Sequence, residues 1–514
     1  MAQRGARIFI VTKHIKCIVM DKGKIPASKE TLNGLMVNTS NVIRDMYGCL
    51  QVDILTLEQL ETQNAKPICI LCQQLIIAVN YSLMDIGVSV RASIGSEKAY
   101  EKRFHLKNLK ASISESYKLI FNYDKAKKKS IWSKIGVELN DYNHVIEDLY
   151  KRITAALVVF ADNYVNQELR NLTLHYDDDM MRVYEATIGI NNEDAEMKVL
   201  CEYMDILQSM RFFITLIEAN EEIAFMPEKV TINRRVGINS IFEQLINKEG
   251  KLMEVVKMAI DETGRNIDSF AQMDKRFRRL QSFIEQQAPI CVTFNELDNL
   301  KILLNAQMLL QFMIGDLAAI AKAYLQSKSE EEHKMNLRRF VVIQTSTLVH
   351  LYGYNDAEQD KSIWKLLISF LPQSDSSLIE ECSKTETQLK KLVTDSVDKK
   401  ERALYVHLVN NGNSKFGVPD TLKAIDAINP VREIVEVNVL LAIMKQVRDW
   451  LNHIMEVLSK EARESRLESE RKIEGMFDDM IYKIANSNLP DEQKKQLLDM
   501  FTSNKDKIMK VVRE

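Results

Sequence analysis

The chain has 514 residues, 46% of them apolar and 27% charged, the balance of a folded protein with buried cores and not of a disordered one. Only 16 glycines and 8 prolines leave little material for the turns of a sandwich or barrel, and a formal net charge of -3 excludes a uniformly basic nucleic-acid coat. Seven scattered cysteines, an N-terminal apolar run interrupted by Lys13 and Lys16, and no stretch approaching the roughly 20 apolar residues of a membrane helix together predict a cytoplasmic, all-α protein without signal peptide or membrane span.

Taken in chain order, the first piece, IFIVTKHIKCIVM, is rich in β-branched residues and reads as a short strand or a first helix, with nothing to decide between them. GKIPASKETLNG breaks the pattern. Amphipathic helices follow, since apolar residues recur at three- and four-residue steps in ILCQQLIIAVNYSLMDI, LKASISESYKLIF and YKRITAALVVFADNYVNQEL. Further breaks fall at GINNEDAE from Gly189, FLPQSDSS from Phe370 and NNGNSKFGVPD from Asn410. From Lys460 the chain turns to KEARESRLESERK, a helix too polar to bury a full face, and then to LPDEQKKQLLDMF, with Pro490 at a helix start.

The most informative feature is self-similarity at an offset of 231 to 232 residues. Asp85 falls on Asp316, Ser96 on Ser327, Leu106 on Leu337, Lys107 on Arg338 and Phe121 on Tyr352. After one inserted residue, KSIW at Lys129 to Trp132 matches KSIW at Lys361 to Trp364, and the register continues to Arg170 and Arg402. Farther on, DILQSMRFF around Arg211 resembles AIMKQVRDW around Arg448. The expected organisation is therefore two tandem, internally duplicated helical bundles, residues 1–228 and 229–459, followed by a charged helical tail, 460–514.

Both copies carry Arg, four residues, then His at equivalent places: Arg170 and His175, and Arg402 and His407. Asn171 follows the first arginine; Ala403 stands at that place in the second copy. Duplicated within a helical chain, this pattern resembles the HEPN superfamily, whose ribonuclease members carry Arg-x4–6-His, often with a polar residue directly after the Arg. The resemblance implies a metal-independent endoribonuclease, needing no cofactor, with a composite active site where two HEPN-like units meet. Arg170, His175, Arg402 and His407 would be catalytic and Asn171 supporting. It also implies an RNA partner, a protein inhibitor or activator, and a setting as a toxin or antiviral defence effector. The residue types suit that chemistry. An imidazole titrating near neutrality exchanges a proton with a ribose 2′-hydroxyl or a leaving oxygen, and a guanidinium grips a phosphate with two parallel hydrogen bonds.

Two considerations weigh against catalysis. Five helical residues turn by about 140°, so Arg and His would not share a helix face and an interface is required there. Asp177, Asp178 and Asp179, close behind His175, would repel phosphate unless turned away or paired with a cation. The competing reading is structural: each Arg and His braces its own bundle, and the chain is a non-catalytic helical scaffold for protein or nucleotide partners.

Other motifs carry a plainer expectation. Lys125, Lys127, Lys128 and Lys129 form the most basic short patch, able to contact RNA phosphates yet equally a solvated loop. Arg448 and His453 repeat the four-residue spacing inside one continuous amphipathic helix and read as a decoy. Cys69 and Cys72, a lone CxxC in an apolar stretch, read as buried helix residues and not as zinc ligands, and Trp132 and Trp364 as locks between helices. No glycine-rich phosphate loop, HExxH or dinucleotide fingerprint is present.

Overall fold

The computed structural model describes residues 29–121, 130–140, 142–165, 179–190, 193–221, 250–287, 295–371, 376–396, 405 and 417–513. The N-terminal piece of undecided character lies outside them. Among the described residues every regular element is an α-helix, as the composition predicts. In chain order these are α1 (Lys29–Thr62), α2 (Pro67–Ile94), α3 (Ala99–Ile120), α4 (Ile131–Glu138), α5 (His144–Tyr164), α6 (Met180–Gly189) and α7 (Glu193–Asn220). There follow α8 (Gly250–Gln287), α9 (Asn295–Leu325), α10 (Glu330–Leu351), α11 (Asp356–Gln359), α12 (Ile363–Phe370), α13 (Ser376–Ser396), α14 (Val418–Ala427), α15 (Pro430–Ala485) and α16 (Asp491–Arg513).

Local chemistry sets many of these ends. The repeated KSIW is a helix start: Ser130 Oγ accepts the Ser133 N–H at 3.0 Å, and Ser362 Oγ accepts the Lys365 N–H at 3.1 Å. Directly after each cap the Ile and Trp turn into a core. Asn143 and Asn429 cap α5 and α15 in the same manner, and Pro430 occupies the first turn, where a missing N–H costs nothing. The break read at GKIPASKETLNG is shorter than expected, since α1 already begins at Lys29.

Four helices have the same length as the helix at the matching sequence position in the other half. Helices α3 and α10 both have 22 residues, α4 and α12 both have 8, α5 and α13 both have 21, and α6 and α14 both have 10. Two cores accompany them. The first gathers Ile43, Leu75, Ile86, Leu109, Tyr117, Trp132, Leu157, Tyr203 and Phe213 from α1 to α5 and α7. The second gathers Ile260, Leu310, Leu317, Leu348, Trp364, Leu389, Met444 and Leu451 from α8 to α10, α12, α13 and α15.

The cores do not follow the chain. Met180, Met181, Val183 and Tyr184 of α6 are buried in the second core, against α8 and α9. Val418, Leu422 and Ile425 of α14 are buried in the first, against α2 and α10. Phe104 of α3 likewise joins the second core, and Met335 of α10 the first. Helices α6 and α14 thus each lend a buried face to the core of the other half while still touching their own, α6 on α3 and α14 on α10. Local apolar periodicity cannot reveal this, because it specifies that a face is buried but not against what.

Two helices correct the search for membrane segments. Pro67–Ile94 and Asp298–Leu325 are long and apolar enough, by length and composition, to cross a bilayer. In the fold they are the central helices of the two cores, and most of the apolar window of each is buried. Beyond the cores, α15 runs unbroken through residue 459 for 56 residues, about 84 Å at helical rise. Its distal part forms an antiparallel hairpin with α16, closed by Phe477 edge-on to Phe501 and by Lys505 against Asp478 at 2.6 Å.

Candidate functional site at the seam of the two halves

Arg170, Asn171, His175, Arg402 and His407 lie outside the described residues, as do Asp177, Asp178 and the lysine patch Lys125, Lys127, Lys128 and Lys129. The structure does fix what borders the two motif segments. The first enters from Val165, at the end of α5 in the first half, and leaves through Asp179 into α6, which is buried in the second core. The second runs between α13, packed in the second half, and α14, buried in the first core. Tyr405, between Arg402 and His407, is 3% exposed and belongs to the first core.

Asp179 answers part of the repulsion argument. Its carboxylate accepts the Met181 N–H at 3.0 Å as the cap of α6 and takes both oxygens to Arg278 of α8, at 2.8 and 3.0 Å. The backbone N–H of Met180 donates to Asn305 of α9 at 2.9 Å. Asp179 is therefore a strut that seats α6 on the opposite half, with its charge neutralised. Beside it opens a groove of about 1,220 Å³. The groove is lined by Arg278, Lys301, Lys361 and Lys365 but also by Asp179, Asp274, Asp298, Glu358 and Asp360. Among the described lining residues four cations face five carboxylates, which give phosphate no net attraction.

Between the halves lies a buried charged layer built twice. Arg91 of α2 meets Glu332 of α10 at 2.5 Å, and Lys322 of α9 meets Glu101 of α3 at 2.8 Å. Asp85 of α2 accepts from Arg338 and Arg339 of α10 at 2.9 and 2.8 Å, and Asp316 of α9 accepts from Lys107 of α3 at 3.1 Å. Positions 231 apart exchange partners: Arg91 and Lys322, Glu101 and Glu332, Asp85 and Asp316, Lys107 and Arg338. Even the backbone contacts are reciprocal, the Glu97 N–H donating to Glu101 at 3.1 Å and the Lys328 N–H to Glu332 at 2.9 Å.

His105 sits among these groups, 1% exposed, with neither ring nitrogen hydrogen-bonded. Burial, and then the charges of Arg339, Lys322 and Arg91, push its pKa down to about 3, so the ring is neutral across the physiological range. Burial and the adjacent Arg339 lower Arg338 to about 9. Burial raises Glu332, while Arg91 pulls it back. With every one of its carboxylates engaged by a cation from the opposite half and His105 held neutral, this layer ties the halves together. Sequence reading matched Asp85 with Asp316 and Lys107 with Arg338 but missed that each pairs across the seam. The available signal was the presence of charges on the most apolar helices at the repeat spacing.

The secondary motifs have structural roles. Arg448 is buried and holds Glu262 of α8 at 2.8 Å, whereas His453 faces solvent. Cys69 and Cys72 are buried, with the Cys72 thiol pushed well above its usual range by burial, and among the described residues no group of three or more His, Cys, Asp or Glu is placed to hold a metal. Trp132 donates to Thr154 and stacks on Tyr150; Trp364 packs against Tyr352 and Trp450. No family model, curated protein or solved structure matches the chain.

Proposed function

We propose that the chain is a fused pair of copies of one helical unit and that it cleaves RNA without a metal ion, at a composite site to which both copies contribute an Arg-x4-His segment. The observation that carries the reading is the exchange of α6 and α14: each motif segment connects a helix of one half to a helix buried in the other. An interface at the motifs is what the 140° separation of Arg and His on a helix demands. Neutralisation of Asp179 by Arg278 removes one of the three charges that would oppose phosphate.

In this reading one imidazole, of His175 or His407, takes the proton from a ribose 2′-hydroxyl, and the other delivers one to the leaving 5′-oxygen. Arg170 and Arg402 stabilise the charge that develops on the phosphate oxygens. The products are a 2′,3′-cyclic phosphate and a 5′-hydroxyl. The test is incubation of the full chain with end-labelled single-stranded RNA in excess chelator. Cleavage to cyclic-phosphate ends, absent in the His175→Ala/His407→Ala double variant, supports the reading; intact RNA with the wild-type chain refutes it.

The scaffold reading draws on a different observation, the apolar side chains that the terminal hairpin exposes at Met476, Met480, Tyr482 and Met500. It predicts that the wild-type chain and the double His variant behave alike.

A further inference from the structure

Beyond Leu458 the last two helices leave both cores. Among the described residues, α15 is the one helix on which α16 packs extensively. Ile473, Phe477, Ile481 and Ile484 of α15 turn toward Leu497, Leu498 and Phe501 of α16, yet all of these stay only half-buried. Two helices by themselves do not close a core. Lys505 bridges to Asp478 at 2.6 Å and to Glu474 at 3.7 Å across one side of the hairpin. On the other side lie Met476 and Met480 and, because the helices run antiparallel, Leu497 and Met500 beside them. The three methionines are exposed.

The outer edge of this apolar face carries charges in a definite order. Glu468, Lys472, Asp479 and Lys483 follow one another along one side of α15, all exposed, with Glu468 against Lys472 at 2.7 Å and Asp479 against Lys483 at 2.6 Å. Their positions are symmetric about the point between Gly475 and Met476. A second α15 laid antiparallel across that point therefore sets Glu468 against Lys483 and Lys472 against Asp479, and the two-fold axis repeats both pairs. Gly475, at the centre, has no atom within 4 Å of where a Cβ would stand. Glycine in the middle of a helix costs helix propensity, and no neighbour within the hairpin requires it there. Across the two-fold it faces Met476 of the second copy and leaves that side chain room.

From this self-complementarity we infer that the methionine face is a dimer interface whose occupant is the same hairpin of a second copy of the chain, laid antiparallel to complete a four-helix bundle. The 23 residues of α16 make the face about 35 Å long and two helices make it about 20 Å wide, so each copy offers about 700 Å². That is close to the roughly 800 Å² each partner buries in a stable complex. The methionines, unbranched and adaptable, supply the apolar contact. The exposed charges are individually worth little, but they select the partner and its register. An unrelated partner helix would give the charges no reason to mirror one another about a glycine. The inference rests on neither reading of the chain's activity.

Sedimentation equilibrium of the full chain from about 1 to 50 µM spans the range of a micromolar Kd and should reach twice the 59.3 kDa of one chain. Met476→Glu/Met480→Glu, at exposed positions, should weaken self-association by at least about a hundredfold with helix content unchanged by circular dichroism. Two charge-reversed chains test the antiparallel register. Lys472→Glu/Lys483→Glu makes the edge wholly acidic and Glu468→Lys/Asp479→Lys makes it wholly basic. Each alone should self-associate at least about tenfold more weakly than the wild type, and an equimolar mixture of the two should regain wild-type affinity or exceed it. A wild-type chain that stays at 59.3 kDa throughout, a dimer indifferent to the methionine substitutions, or a mixture that associates no better than either charge-reversed chain alone would overturn the inference.

Discussion

Removing one member of the Lys322–Glu101 pair should destabilise the chain far more than removing both. The two side chains are each 1% exposed and their charged atoms are 2.8 Å apart. At an effective dielectric constant of about 20 their attraction is about 6 kcal/mol, most of which offsets the several kcal/mol lost by each ion on leaving water. The intact pair is therefore worth little net. Lys322→Met, however, strands the Glu101 carboxylate in the seam and should cost about 3–5 kcal/mol. The Glu101→Gln/Lys322→Met double variant should lose only about 1–2 kcal/mol, because no charge is left behind. Denaturant unfolding followed by far-ultraviolet circular dichroism measures all three. Arg91→Met, which strands Glu332, should repeat the effect if the reciprocal layer is what holds the halves together. A Lys322→Met loss below about 1 kcal/mol would refute the reasoning, since it would mean that the pair is not desolvated.

His105 adds a pH signature. Its folded pKa of about 3 lies below the unfolded value of about 6.5, so the unfolded chain binds the extra proton and stability falls as pH drops from about 6.5 toward 3, by up to about 1.4 kcal/mol per unit. His105→Asn, which copies Asn336 of the second half, should flatten the slope in that window; identical profiles for the two proteins would contradict the burial assigned to the ring. At Gly315 two effects compete. Alanine gains up to about 1 kcal/mol of helix propensity, but its Cβ would meet Tyr100 and Thr263 at 2.5 Å, so crowding should win by about 1–2 kcal/mol, read as a lowered unfolding midpoint. Arg278→Met should loosen α6 from the second half by removing both ties to Asp179, seen as faster amide exchange over residues 180–189 with little change in α14.

Helix content and many helix ends were legible in the sequence because they rest on local chemistry. Ser130, Ser362 and Asn429 cap, Pro430 opens a helix, and glycine- and asparagine-rich breaks interrupt the apolar period. The buried roles of Trp132, Trp364, Cys69 and Cys72 were legible too, from their places on apolar helix faces. The exchange of α6 and α14 was not, since a ten-residue amphipathic helix looks the same whichever core receives it. The pairing of Asp85 with Arg338 and of Lys322 with Glu101 was equally hidden. Each residue taken alone looks like a charge misplaced on a core helix, and only the opposite half supplies its partner. For the candidate site, spacing selected Arg170, His175, Arg402 and His407, and the described residues establish only the helices that flank them. For Asp179 the sequence left turning away or pairing with a cation as alternatives, and Arg278, 99 residues away, could not be named beforehand.

The composite nature of the site is tested most directly by comparing single His variants with the double one in metal-free RNA cleavage. Groups acting as one unit are strongly non-additive, so His175→Ala alone and His407→Ala alone should each lower the rate by at least about a hundredfold, close to the loss in the double variant. Singles that each keep about half the wild-type rate would mean two independent sites. Singles and double variant that cleave like the wild type would leave these histidines no part in the reaction.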